Sequence, residues 1–413
     1  MKLVIKKSSL ISILLIVCFL LNSGYCFVLK SDFYTLGSLF ILGCIIIGYY
    51  GFIKKRFLTF KFIRHPFTMF VIFIFLSMFL HFELNIFGTY FRQIFVLLIA
   101  ILIAQNIPFD KFIKTFINFM FIVTLISIVV WILINVFSLS LHLPVFHSEW
   151  EKAVFTEYQN GLLFFVHSHQ PYKLMGPFWE PGLYASMAIL AFLFLNKKIY
   201  TKKQVKLIAL TLIIGIVLSF STAGYLLLIV TMITKILMYS DKKISLFLFA
   251  IIFFSLILVV VYSDEILNYL ATIMPNIFGK MVNGSISKST RINGPLVDLS
   301  IYIKKPIFGA GYIKYLNEWP ILASLLDVES RTSTITYFIA IFGVFGILYL
   351  FTIIKGILSQ KYISIYIKLF ILFIFVSIVT KEPHYVNLLT VTIIAYLAQD
   401  KIIFQSKLIE NKE

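Results

Sequence analysis

The sequence predicts an all-α, polytopic membrane protein with about twelve transmembrane helices and two long extracytoplasmic loops. Three observations predict it. Sixty per cent of the 413 residues are apolar and 13% are charged, about half the charged share of a soluble domain. Apolar runs long enough to cross a ~30 Å hydrocarbon core recur along the whole chain. The basic residues gather in short segments between those runs, the distribution that the positive-inside rule requires. The formal charge of +18 therefore reflects membrane orientation. No basic stripe interleaved with aromatics is available for nucleic acid.

Three lysines precede the apolar stretch Leu10–Leu21, which is followed by Asn-Ser-Gly-Tyr-Cys without an Ala-x-Ala cleavage site. It is read as a retained first span rather than a signal peptide. The remaining spans fall at 33–53, 66–82, 87–106, 112–138, 180–196, 207–220, 223–239, 244–262, 332–354, 364–380 and 385–400. A hairpin at Ser219–Thr222 separates two of them. With both termini cytoplasmic, 24 of the 36 Lys and Arg lie inside, and 13 of the 18 acidic residues lie outside. Only the basic asymmetry carries topological weight.

The chain then divides into a five-span bundle (1–138), a first long loop (139–179), a four-span bundle (180–262), a second long loop (263–331), and three spans with a cytoplasmic tail (332–413). Both loops lie outside by parity. They contain aromatics, prolines and amphipathic runs, so they are expected to be ordered. Asp264-Glu265 before Ile266, Leu267, Leu270 and Ile273 predicts a capped amphipathic helix on the membrane surface. Pro295 to Lys304 predicts a second short helix, stopped by Pro306.

Cys18, Cys26 and Cys44 lie in or beside the first two spans without metal spacing, and are read as packing residues. His167 and His169 form a His-x-His pair lacking third and fourth ligands, so no metal is assigned. No Walker loop, dinucleotide fingerprint or outward Asp-x-Asp motif occurs, so no cofactor is assigned.

Five arginines are present. Arg56 and Arg64 belong to a cytoplasmic basic loop. Arg92, Arg291 and Arg331 lie in or near the outer face. Arg92 sits inside its span, where a charge costs ~2.5–3.5 kcal/mol at mid-membrane; the alternative to function is snorkelling. Together with Lys173 these groups offer a cationic set suited to a lipid pyrophosphate. Glu180, before Pro181, is either a helix N-terminal carboxylate or a general base in a sheltered pocket. His384 is a further outward histidine, lining the same site or simply solvated.

Four stretches carry a family resemblance: Lys173-Leu-Met-Gly-Pro-Phe-Trp-Glu-Pro-Gly-Leu-Tyr-Ala, Leu218-Ser-Phe-Ser-Thr-Ala-Gly-Tyr, Arg291 leading into Lys305-Pro-Ile-Phe-Gly-Ala-Gly, and Glu329-Ser-Arg-Thr-Ser with Gly343 and Gly346. In their order and spacing the chain resembles Wzy-type polymerases of the O-antigen polymerase and ligase superfamily. The resemblance covers most of residues 87–355 and implies a GT-C-like polymerase/ligase fold in the bacterial inner membrane. It implies a metal-independent inverting glycosyltransferase that joins undecaprenyl-pyrophosphate-linked oligosaccharides into O-antigen or capsule.

In that comparison Arg291 and Arg331 match basic residues proposed to hold the pyrophosphate, and Glu180 is the candidate base. Arg92, Lys173, His169 and His384 are the secondary substrate contacts. A polysaccharide co-polymerase is the implied partner. The family often has Arg near Lys173. The His that the ligase branch carries is replaced by Thr332-Ser333, which favours polymerase over O-antigen ligase. A lipid-linked oligosaccharide flippase is the rival outside enzymology. It predicts short loops and an internal repeat, and neither is found here.

Overall fold

The computed structural model describes residues 19–26, 32–47, 64–147, 157–168, 170–239, 269, 272, 286–328, 331, 333–381, 384, 387–399 and 403–404. The predicted span 244–262, most of the first span and the Asp264–Glu265 helix lie outside the described residues.

The described chain is mostly helical. Its helices are α1 (Asp32–Ile47), α2 (Pro66–Leu80), α3 (Phe87–Asn106), α4 (Phe109–Asn135), α5 (Pro181–Phe194), α6 (Lys202–Leu218), α7 (Thr222–Tyr239), α8 (Ile286–Lys304), α9 (Gly311–Leu325), α10 (Thr334–Phe342), α11 (Ile347–Leu358), α12 (Ile365–Lys381) and α13 (Leu388–Leu397). Among the described residues, three helical stretches are long and apolar enough to cross a membrane: Leu84–Asn106, Phe109–Asn135 and Thr334–Leu358. At 1.5 Å per residue, some 20 residues span a bilayer core. Shorter apolar helices surround them.

Two helices form the centre. In α5 every residue from Gly182 to Phe194 is buried, and in α13 every residue is. Such all-round apolar helices belong inside a bundle. Helix α13 packs on α3, α5 packs on α6 and α7, and α7 packs on α12. Cys26 is buried against Tyr158, Phe165 and Met175, as the packing reading requires. Cys44 is exposed, which corrects that reading for α1.

The contacts sort the connections into two groups. At one end lysines cap helix C-termini, where the last carbonyls lack intrahelical donors. Lys235 Nζ donates to Leu195 O and Lys368 Nζ to Leu358 O. Tyr200 Oη donates there to Asn118 Oδ1 at 2.8 Å. At the other end the first long loop meets the turn after residue 21 and the turn at 218–222. There Leu388 N–H donates to Asn22 O, and His384 N–H donates to Thr334 Oγ1, at the start of the helix that follows the second long loop. This is the loop end.

The first long loop contains three strands that an all-helical reading omits. Strands β1 (Val145–His147), β2 (Glu157–Asn160) and β3 (Phe165–His167) form an antiparallel sheet in that order. The loop is tied down by Cys26 N–H to Pro177 O at 2.9 Å and by Leu174 N–H to Leu218 O at 2.9 Å. In the second loop, α8 begins nine residues before the predicted helix and carries Pro295 inside it. It ends at Lys304, before Pro306, as predicted. Helix α9 was not predicted.

The predicted span 332–354 is also broken. Helix α10 stops at Phe342, and a 3-10 turn, Gly343–Gly346, leads into α11. A continuous helix would bond Val344 N–H to Ala340 O. Instead Val344 N–H donates to Pro306 O at 2.8 Å, and Ala340 O accepts from Ala310 N–H at 2.9 Å. The Pro306–Ala310 loop thus takes over both halves of one helical hydrogen bond. Irregular backbone at membrane depth is tolerated only where protein satisfies it.

Candidate functional site

The site is built from three connections at the loop end. The first centres on Asp298. On α8, Gly294, Val297, Asp298 and Ile301 are buried, the i, i+3, i+4, i+7 face of a helix. A carboxylate on such a face needs hydrogen-bond partners. Tyr315 Oη on α9 donates to Asp298 Oδ1 at 2.7 Å, and Thr336 Oγ1 on α10 donates to Oδ2 at 2.6 Å. Arg331, just before α10, stacks its guanidinium 5.3 Å from the Tyr315 ring centroid and 5.1 Å from that of Trp319. The aromatic faces hold the cation, and the carboxylate behind Tyr315 adds attraction without a direct ion pair.

The second connection centres on Lys381, at the end of α12. Its buried ammonium donates to Ser221 Oγ at 2.9 Å and to Gly182 O at 3.3 Å. It therefore ties the α6–α7 turn to the start of α5. Glu180 lies two residues before Gly182, at the N-cap of α5, with Pro181 at the first helical position. Its carboxylate makes no capping hydrogen bond. The carboxylate is partly exposed, so the capping role weighed for it is not taken up.

The third is His384, which the sequence reading left lining a site or in water. The solvated alternative is corrected: the ring is fully buried. Its backbone N–H donates to Thr334 Oγ1 at 2.8 Å, and Nδ1 pairs with Thr390 Oγ1 at 2.9 Å. It fastens α10 to α13. Thus Glu180, Lys381, His384, Thr334, Asp298 and Arg331 follow one another along a connected belt.

The other predicted residues are placed apart from that belt. Lys173 sits 5.7 Å over the Tyr172 ring, in the first loop, which is anchored to α4 by Trp131 Nε1 donating to Tyr172 O. Arg92 lies partly buried in the second turn of α3. Arg291 belongs to α8, and its side chain lies outside the described residues, as does His169. Asp298, Lys381 and Ser221 were missed. The helical face around Asp298 was a usable signal. For Lys381 it was a charge closing an otherwise apolar span.

The four motif stretches pair up in space. Leu174 bonds Leu218, and a Cβ on Gly224 would stand 2.9 Å from Ala185 Cβ. The Pro306–Ala310 loop meets Gly343. With this geometry in hand, comparison with known proteins finds no family model, curated protein or solved structure that matches the chain.

Two buried titratable groups in the belt respond to pH in opposite senses. Burial, with the Lys381 charge, lowers His384 to about 3. Its folded pKa lies below the unfolded ~6.5, so its stability contribution is present above ~6.5 and fades as pH falls toward 3. By pH 5 the loss is about 2 kcal/mol. Burial raises Asp298 to about 6, opposed by Thr336, Tyr315 and Arg331. That contribution is present below ~3.9 and is lost as pH rises through 6, by about 3 kcal/mol in all. Wild-type stability is therefore expected to vary little between pH 5 and 7. His384→Gln should leave stability falling with pH, and Asp298→Asn should leave it rising. Thermal unfolding across that range checks both signs, and two variant profiles parallel to wild type would refute the pairing.

Proposed function

We propose that this chain polymerises undecaprenyl-pyrophosphate-linked oligosaccharides into O-antigen or capsular polysaccharide at the outer face of the bacterial inner membrane. In this reading it has about twelve spans, cytoplasmic termini and the polymerase/ligase architecture, and its loop end faces outward. The observation that carries the proposal is the Arg331 guanidinium, held over Tyr315 and Trp319 where a membrane helix meets the second long loop. Such a cation can neutralise a pyrophosphate leaving group whose lipid stays in the bilayer. The pairing of the four motif stretches also supports the reading.

The reaction needs no external energy source. A sugar hydroxyl of one lipid-linked unit attacks the anomeric carbon of another from the face opposite the pyrophosphate. The new C–O bond forms as the old one breaks, and the electron pair leaves on the pyrophosphate oxygen. Glu180 takes the hydroxyl proton, since its partly exposed carboxylate is not engaged in capping. Arg331, with Arg291, stabilises the charge that develops on the leaving group. Arg92 and Lys173 contact phosphate or sugar further out, and a polysaccharide co-polymerase sets chain length.

The test is deletion of the gene followed by gel analysis of surface polysaccharide. Loss of the long-chain ladder with single repeat units still attached is the expected result. Loss of every repeat unit from the lipid acceptor would indicate a ligase or flippase and overturn the proposal.

A further inference from the structure

A cavity of about 490 Å³ opens where the turn after α2 meets α9, the helix whose Tyr315 and Trp319 carry Arg331. Its polar wall includes His81, Glu83, Lys305, Lys314, Asn317 and Glu318. The wall is assembled from distant parts of the chain. His81 caps α2, and its ring lies against the start of α9 because residue 311 is glycine. A Cβ at Gly311 would fall 2.7 Å from His81 Cγ. The Lys305 and Lys314 charges both bear on that ring.

The charge balance favours an anion. Glu318 is already shared by two lysines, with Lys304 Nζ at 3.0 Å and Lys314 Nζ at 3.4 Å. The lining itself balances Lys305 and Lys314 against Glu83 and Glu318; with Lys304 taking part of Glu318, three lysines stand against two glutamates, an excess of one cation at the opening. The apolar rim points to the source of the anion. Leu80, Phe82 and Leu84 are exposed beside these lysines. They follow directly from the apolar helix α2. Exposed apolar side chains next to a lysine cluster mark the level where hydrocarbon gives way to headgroups.

We propose that this cavity binds the phosphate of a lipid headgroup, with Lys305 and Lys314 as its cationic contacts and the Leu80–Phe82 rim receiving the start of the lipid chain. The inference goes beyond the polymerase reading, because it requires only that the bundle sits in a membrane.

The experiment uses the full chain in phosphatidylcholine nanodiscs. Binding of a polyprenyl phosphate, the corresponding polyprenol and inorganic phosphate is measured by native mass spectrometry. The polyprenyl phosphate is expected to bind at least about tenfold more tightly than either other probe. The Lys305→Gln/Lys314→Gln pair should abolish that preference. Lys305→Arg/Lys314→Arg should keep it. Equal binding of polyprenol would mean apolar recognition alone and overturn the proposal. Equal binding of inorganic phosphate would mean a free-anion site and overturn its lipid part. Unchanged binding in the Gln pair would place the phosphate elsewhere. None of these outcomes depends on the polysaccharide ladder, so the two readings fail separately.

Discussion

Gly343→Ala is expected to cost at least ~3 kcal/mol and to remove most of the folded protein from the membrane fraction. Gly343 has φ 65° and ψ −144°, a region open essentially to glycine, and a side chain held there costs ~1–3 kcal/mol. A Cβ would also stand 2.3 Å from Ile307 O and 2.6 Å from Gly309 N. Both obstacles are backbone, so no rotamer change relieves them. Moving the Pro306–Ala310 loop away would break the Val344–Pro306 and Ala310–Ala340 hydrogen bonds. The freed groups would then be orphaned at membrane depth, at ~1–3 kcal/mol each.

Gly309→Ala should act through the same contact from the other side. Its φ is +72°, and its Cβ would lie 2.2 Å from Ile341 O. The double variant should therefore cost little more than either single one, because neighbouring sites share the loss. Gly37→Ala is the control. It lies in helix α1 with nothing within 4 Å of its Cβ position, and is expected to be neutral or to stabilise by up to ~1 kcal/mol. Size-exclusion profiles and thermal unfolding in detergent measure all three. A Gly343→Ala protein as stable as Gly37→Ala would show that the loop is not seated on the broken span.

These glycines also mark the limit of what the sequence discloses. The apolar runs that became α3 and α4 were legible because a membrane span is a local property of some 20 residues. The break at Gly343 was not legible, since it depends on a loop more than 30 residues earlier in the chain. The small sheet was hidden for a related reason. Strands of three or four residues, such as Val145–His147, are too short for periodicity to show, and their pairing is non-local.

Site residues divide in the same way. Arg331 and Glu180 were singled out because charges are scarce in this composition. Asp298 was missed, although Gly294, Val297 and Ile301 sketch its helical face, because the helix was begun at Pro295. Of the two alternatives for His384, the solvated one was excluded by its packing with Thr334 and Thr390, which no local pattern records. Lys381 entered the orientation count as one more outward charge. Only the fold reveals that it joins the turn at Ser221 to the start of α5.

Arg331→Ala is expected to lower polymerisation on the order of 10²–10³-fold, the loss that follows removal of one preorganised transition-state contact. The argument rests on what holds the group. Tyr315 is fixed by its bond to Asp298, and Trp319 flanks it on the same helix, so the guanidinium plane is set before a substrate arrives. Both rings are buried, and stacking on a desolvated ring contributes up to ~2 kcal/mol. The alanine variant should therefore lose some stability, and its thermal unfolding is measured beside its activity so that lost activity is separated from lost structure. Arg331→Lys should recover little, because an ammonium has neither the flat face that stacks nor the fork that grips two phosphate oxygens. Tyr315→Phe provides the finer test. It keeps a ring under the cation but removes the hydroxyl from Asp298. The carboxylate then loses one of its two donors, and the ring loses its anchor. Activity should fall less than in Arg331→Ala, with the loss in kcat rather than in KM for the lipid-linked donor, as expected when an interaction matters mainly in the transition state. A full-length polysaccharide ladder and unchanged kcat in Arg331→Ala would remove Arg331 from the reaction and leave it as an interface anchor.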